Sequence, residues 1–213
     1  MKFNFLKDDS KVMKVLSKIV DGLLLTIIFS IACIPLFTIG CSFTSFYYAS
    51  VKVIRRNRGY MFRSFIDSFK LNFKLSTVVW LIQFLIMGIC TLGAYVAFTS
   101  KGMLGSVVSV ILIAIYFAIF VVALTAGPFI YPAISRYKMN LKNALKLALI
   151  MVLSHPGKSL LVFFMTVTYI FLMIFSAMNL VILVFIWPEL YILGLSMIME
   201  KVLLEYIDSI KNE

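Results

Sequence analysis

The chain has 213 residues, 62% of them hydrophobic and only 14% charged, with a mean hydropathy of +1.05. Soluble domains are nearer half apolar with about a quarter charged, so this balance excludes an ordinary soluble protein and points to one all-α, polytopic membrane domain over 1–213. The formal net charge is +11, but the basic residues flank the apolar runs, so membrane orientation and anionic headgroups account for them and nucleic acid does not.

Residues 1–18 are polar and basic, with Val12, Val15, Leu16 and Ile19 at helical spacing. They read as a cytoplasmic amphipathic helix along the headgroups. A first span follows over about Ile19 to Phe37, with Asp21 at its cytoplasmic start. Ser30-Ile31-Ala32-Cys33 faintly resembles a lipoprotein cleavage box, but apolar sequence continues past it, so the segment reads as a retained span. Cys33, Cys41 and Cys90 form no C-x-x-C pair, which argues against a zinc or disulfide framework.

Pro35 and Gly40 bracket a break. From Thr38 to Ile54 only Lys52 is charged, while Ser42, Thr44, Ser45, Tyr47 and Tyr48 add polarity. This leg either crosses the membrane as a short helix or is re-entrant and buried by its neighbours, because irregular backbone facing lipid is excluded. Its hydroxyls could line a polar pocket or bond packed helices together.

A basic cluster comes next, Lys52, Arg55, Arg56 and Arg58, closed by Gly59. Phe62, Phe65, Ile66, Phe69 and Phe73 then recur at helical spacing, with Arg63, Asp67, Lys70 and Lys74 elsewhere around the helix. Residues 60–74 read as an interfacial helix, set on lipid or on the protein's own inner surface. Spans are expected over about Leu75–Phe98, with Trp80 near the headgroup boundary, and about Leu104–Ala126, ended by Gly127-Pro128.

A second basic stretch holds Arg136, Lys138, Lys142, Lys146 and Lys158. Within it a second interfacial helix is predicted over Leu141–Leu153, starting near Asn140 and stopping before Pro156. From Ser159 to Met199 only Glu189 is charged, which is the length of two crossings, with a turn expected around Ser176–Asn179. Glu189 then lies near mid-bilayer, where a carboxylate is a functional candidate, or at the interface if the turn sits near Pro188. All three basic clusters share the cytoplasmic side, with both termini, only if the chain crosses twice between the first two. The charge bias therefore favours six segments over five. Residues 19–98 and 104–178 also share an order of parts that suggests a weak internal repeat.

Phosphate-loop, dinucleotide, zinc-protease and nucleophile-elbow motifs are all missing, and the one histidine, His155, has no acidic neighbour in sequence. The chain reads as non-enzymatic and cofactor-free. Two residue sets stand out. Thr38, Ser42, Thr44, Ser45, Tyr47, Tyr48 and Glu189 form a candidate polar membrane site. Lys52, Arg55, Arg56, Arg58, Arg63, Lys70, Lys74, Arg136, Lys138, Lys142 and Lys146 form a candidate surface for a partner or for anionic headgroups.

The run P-L-F-T-I-G at 35–40, Tyr47-Tyr48, the Lys52–Arg58 stretch and S-F-K-L-N-F-K at 68–74 resemble the YesL-like family of small bacterial integral membrane proteins, grouped under a domain of unknown function. Y-P-A-I-S-R-Y at 131–137 followed by N-L-K-N-A-L-K-L-A-L at 140–149 resembles that family's second signature. The resemblance implies a bacterial cytoplasmic-membrane protein. Because members tend to be encoded beside carbohydrate ABC transporters, it also implies an accessory of oligosaccharide uptake that contacts transporter subunits. The alternative is a small transporter or channel in its own right, using the hydroxyl-rich leg and Glu189.

Overall fold

The computed structural model describes residues 5–56, 59–100, 105–137, 139–179 and 184–211, with side chains described from 18 onward except at 179, 201 and 203–211. Every element among the described residues is a helix, and short turns join them. The order is α1 (Phe5–Ala32), a 3-10 turn (Leu36–Thr38), α2 (Ile39–Ala49) continuing into a π-helical run (Ser50–Arg55), α3 (Met61–Thr99), α4 (Ser106–Arg136), α5 (Leu141–Ser154), α6 (Pro156–Asn179) and α7 (Trp187–Lys211). Three of these helices, α3, α4 and α6, are long and apolar enough to cross a membrane.

The core is built around α2. Gly40, Cys41, Ser42, Thr44, Ser45, Phe46, Tyr47 and Ala49 are buried, as are Ser50, Val51 and Ile54 of the π run. Phe46 and Tyr47 share one apolar cluster with Leu25 of α1, Phe65 of α3, Phe129 of α4, Met151 of α5 and Leu195 and Met199 of α7. In lipid, close packing rather than water exclusion holds helices together, and small residues permit it. Gly40 does this for α2. A Cβ there would stand 2.6 Å from the Trp80 Cβ and 2.7 Å from the Ser76 carbonyl oxygen. Residues 38–54 are thus largely enclosed by the rest of the protein.

Several expected boundaries move. The amphipathic segment 60–74 and the span 75–98 are one helix of 39 residues, about 58 Å long at the usual rise. No strong breaker lies between Met61 and Thr99, and a helix does not end where its surroundings turn from water to lipid. For the same reason α1 runs unbroken through the segment expected to lie along the headgroups. α4 continues through Pro128 and Pro132 to Arg136, past the expected end at Gly127-Pro128. Its residues 127–134 are buried, and neighbouring helices support the backbone that proline leaves unbonded. The turn expected at Ser176–Asn179 falls later, since α6 is helical to Asn179 and α7 starts at Trp187.

The five to six membrane segments expected from sequence thus reduce to three by length and apolarity among the described residues. The leg 39–55 is short and enclosed by protein, and α7 carries Glu189, Glu200 and Lys201. Of the two expected interfacial helices only α5 is a separate element, starting after Asn140 as predicted. One of its faces is buried through Ala144, Leu147, Ala148, Met151 and Val152. Elsewhere the surface is apolar, with Ile89, Leu92, Ile111, Phe117, Phe164 and Phe171 all more than half exposed. Such a surface suits lipid contact.

Candidate functional site

The hydroxyl-rich leg uses its side chains for packing. Thr44 donates to the Gly40 carbonyl at 2.9 Å, and Ser45 to that of Cys41 at 2.8 Å. These are bonds one turn back along the helix. Ser42 and Thr38 both donate to the Ala32 carbonyl, at 2.9 and 2.6 Å, closing the turn between α1 and α2. The Thr44 and Ser76 hydroxyls are bonded across to α3 at 3.0 Å. Four members of the candidate polar site, Thr38, Ser42, Thr44 and Ser45, are therefore satisfied by the fold. Tyr47, Tyr48 and Glu189 differ.

Glu189 sits in the first turn of α7, where a carboxylate suits the helix dipole. Its Oε1 accepts a short hydrogen bond from the Ser50 hydroxyl. Its Oε2 is enclosed and has no hydrogen-bond partner. Gly22 of α1 makes room, because a Cβ there would lie 3.2 Å from Glu189 Cγ. Ser50 opens the π run, whose wide turn shows in the bond from the Arg56 amide to the Val51 carbonyl at 3.1 Å. Residues five apart on an α-helix point about 140° away from each other. The wider π turn brings them toward one face, so Ser50 and Arg55 both reach α7.

Arg55 donates to the Ser196 carbonyl at 3.1 Å and hydroxyl at 3.2 Å, and its Nη1 lies 2.8 Å from Glu200 Oε2. Arg56 Nη2 and Arg136 Nη2 each lie 2.9 Å from Glu200 Oε1. One carboxylate thus ties together the π run, the end of α4 and the middle of α7. Burial works against the Glu200 charge, but hydrogen bonds from Arg136 and Arg56 and the charges of Arg55 and Arg136 outweigh it, holding its carboxyl below the ordinary range. Glu200 was not singled out from sequence. The available signal was its spacing: Ser196 and Glu200 follow Glu189 by close to whole helical turns, which puts all three along one face.

The two described basic clusters therefore meet. Lys52 Nζ lies 5.1 Å from the Tyr48 ring centroid, and the Arg136 guanidinium lies 5.7 Å from that of Tyr47, both within cation–π range. A cleft of about 300 Å³ lies among Tyr47, Tyr48, Lys52, Arg56, Ser135 and Arg136. It adjoins a second of about 470 Å³ that shares Tyr48, Ser135 and Arg136 and reaches Ser68 and Asn72 of α3. Arg63 pairs loosely with Asp67 at 3.7 Å on the exposed side of α3. Lys70, Lys74, Lys142 and Lys146 are exposed. Arg58 and Lys138 lie outside the described residues.

No curated protein and no solved structure matches this chain. A family model described as "Protein of unknown function, DUF624" matches residues 23–94. The matched stretch takes in the last third of α1, the whole buried leg and most of α3, and so contains Ser50, Arg55 and Arg56. Over these residues the chain is similar to the DUF624 proteins, the family that includes the YesL-like proteins.

Proposed function

We propose that this is a non-enzymatic accessory protein of the bacterial cytoplasmic membrane. It acts beside a carbohydrate ABC-type importer and docks on it through its basic end. The observation that carries this reading is the Glu200 brace, which holds Arg55, Arg56 and Arg136 at 2.8–2.9 Å and so presents the two basic clusters as one preformed surface. The first turns of α3 and α5 flank that surface with Arg63, Lys70, Lys74, Lys142 and Lys146. The positive-inside bias favours a cytoplasmic position for it. A brace already formed lowers the ordering cost of binding. The carbohydrate assignment rests on the resemblance to the YesL-like proteins. Capture of the tagged chain in mild detergent should co-recover importer subunits, and reversing Lys70, Lys74 and Lys142 to Glu should lose them. Recovery of the chain alone would contradict the proposal.

A second reading, a small transporter in its own right, is favoured by one observation, the enclosed and unpartnered Oε2 of Glu189. Such a carboxylate inside a helical membrane protein suits a proton or cation. Flux of oligosaccharides into liposomes, abolished by Glu189→Gln, would support it. Flux that survives the substitution would remove the carboxylate from that reading.

A further inference from the structure

The cleft at the basic end has features the Glu200 brace does not use. Tyr47 is fully buried, yet its hydroxyl has no hydrogen-bond partner. Leaving a buried hydroxyl unbonded is costly, and native proteins rarely do so without a reason. The Arg136 guanidinium lies 5.7 Å from the Tyr47 ring centroid, and Tyr47, Arg56 and Arg136 line the same cleft. Lys52, on the opposite lip, makes no ion pair among the described residues. Its ammonium rests over the Tyr48 ring at 5.1 Å and keeps its donors available. Among the described residues, Lys52, Arg55, Arg56 and Arg136 around the cleft are compensated by Glu200, and Asp67 at the margin of the adjoining cleft is paired with Arg63. The surplus is strongly positive.

We infer that this cleft binds one phosphate group, with the Tyr47 hydroxyl and Lys52 donating to its oxygens and Arg136 and Arg56 completing the cradle from the brace. The volume of about 300 Å³ admits a phosphate with a small substituent. Guanidinium and ammonium donors converging with a buried hydroxyl suit a tetrahedral anion with several acceptors. The phosphate could arrive on a lipid headgroup or free in solution, and the chemistry of recognition is the same for both. The inference is independent of the accessory reading, since it needs no partner protein.

The test uses the full chain in two arms. In phosphatidylcholine nanodiscs, binding of inorganic phosphate is measured by equilibrium dialysis. In detergent, retained phosphatidylglycerol is counted by native mass spectrometry. One arm or the other should show one saturable site per chain. Phosphate binding assigns a soluble anion, and retained phosphatidylglycerol without phosphate binding assigns a headgroup. Tyr47→Phe and Lys52→Gln each remove a proposed ligand contact and no hydrogen bond seen within the fold. Each should weaken binding by about tenfold, as expected for one charge-assisted hydrogen bond. Tyr47→Phe should meanwhile melt no lower than the unsubstituted chain, which separates a lost ligand contact from a damaged fold. Lys158→Gln, a charge loss at a residue that lines neither cleft and lies outside the proposed docking surface, should leave binding within about twofold. Absence of saturable binding in both arms overturns the inference. So does equal binding by the unsubstituted chain and either cleft variant, or a loss in Lys158→Gln as large as in Lys52→Gln.

Discussion

Arg136 at the end of α4 and Glu200 on α7 meet at 2.9 Å across 64 residues of chain. Arg55 and Arg56 converge on the same carboxylate from the π run. Three cations share one anion, so its loss leaves mutual repulsion as well as lost bonds. Glu200→Gln should lower stability by about 2–3 kcal/mol, within the range for hydrogen bonds to charged groups in a partly buried site. Arg63→Gln, which breaks an exposed pair at 3.7 Å, should cost about 0.5 kcal/mol or less. Thermal unfolding in one detergent measures both, and equal losses would contradict the brace.

The same carboxylate sets an acid limit. Its folded pKa lies below the ordinary value of 4.5, so in that window the unfolded chain binds the extra proton. The contribution of Glu200 is complete above the unfolded value and is lost as pH falls from there through the depressed folded value. The stability gap between the chain and Glu200→Gln should therefore be narrower at about pH 4 than at pH 7. A gap that widens on acidification would be the wrong sign.

Gly40 and Gly88 make opposite demands. A methyl at Gly40 would press on Trp80 and the Ser76 carbonyl at 2.6 and 2.7 Å, whereas nothing lies within 4 Å of one at Gly88. Gly40→Ala should destabilise by about 1–3 kcal/mol through overpacking. Gly88→Ala, in the interior of α3, should be neutral or gain up to about 1 kcal/mol in helix propensity. Melting temperatures that shift in the same direction would show that α2 is not packed as described.

Ser50 and Glu189 should be energetically coupled. Ser50→Ala removes the one hydrogen bond to that carboxyl, and Glu189→Ala removes the acceptor. A double-mutant cycle should yield about 1–2 kcal/mol of interaction. Additivity within about 0.3 kcal/mol would mean the two side chains do not meet.

Much of this arrangement could be read from residue order. The all-helical class with membrane-length apolar helices, the polar leg and the separate helix from Leu141 all follow from apolar period and charge placement. Helix continuity was harder to read. Lys70 and Lys74 mark a change of environment along one continuous helix, not a change of element. Pro128 and Pro132 are breakers only where neighbours fail to enclose the backbone, and here residues 127–134 are buried. The leg's hydroxyls looked alike in sequence. Tertiary contacts alone separate Thr44, bonded to Gly40 and Ser76, from the unpartnered Tyr47. Glu200 lies just beyond the apolar run that makes Glu189 conspicuous, next to Lys201, where a charge is ordinary.

The central claim is that the two basic clusters form one cytoplasmic face, from which α3 crosses to the other side. Single cysteines at Tyr60, Asn143 and Thr99, in a chain with Cys33, Cys41 and Cys90 replaced by serine, can be probed with a membrane-impermeant maleimide. Intact cells and inverted vesicles expose the two sides in turn. Tyr60→Cys and Asn143→Cys should label only in inverted vesicles, and Thr99→Cys only in intact cells. Labelling of Tyr60→Cys and Asn143→Cys from opposite sides would contradict the account.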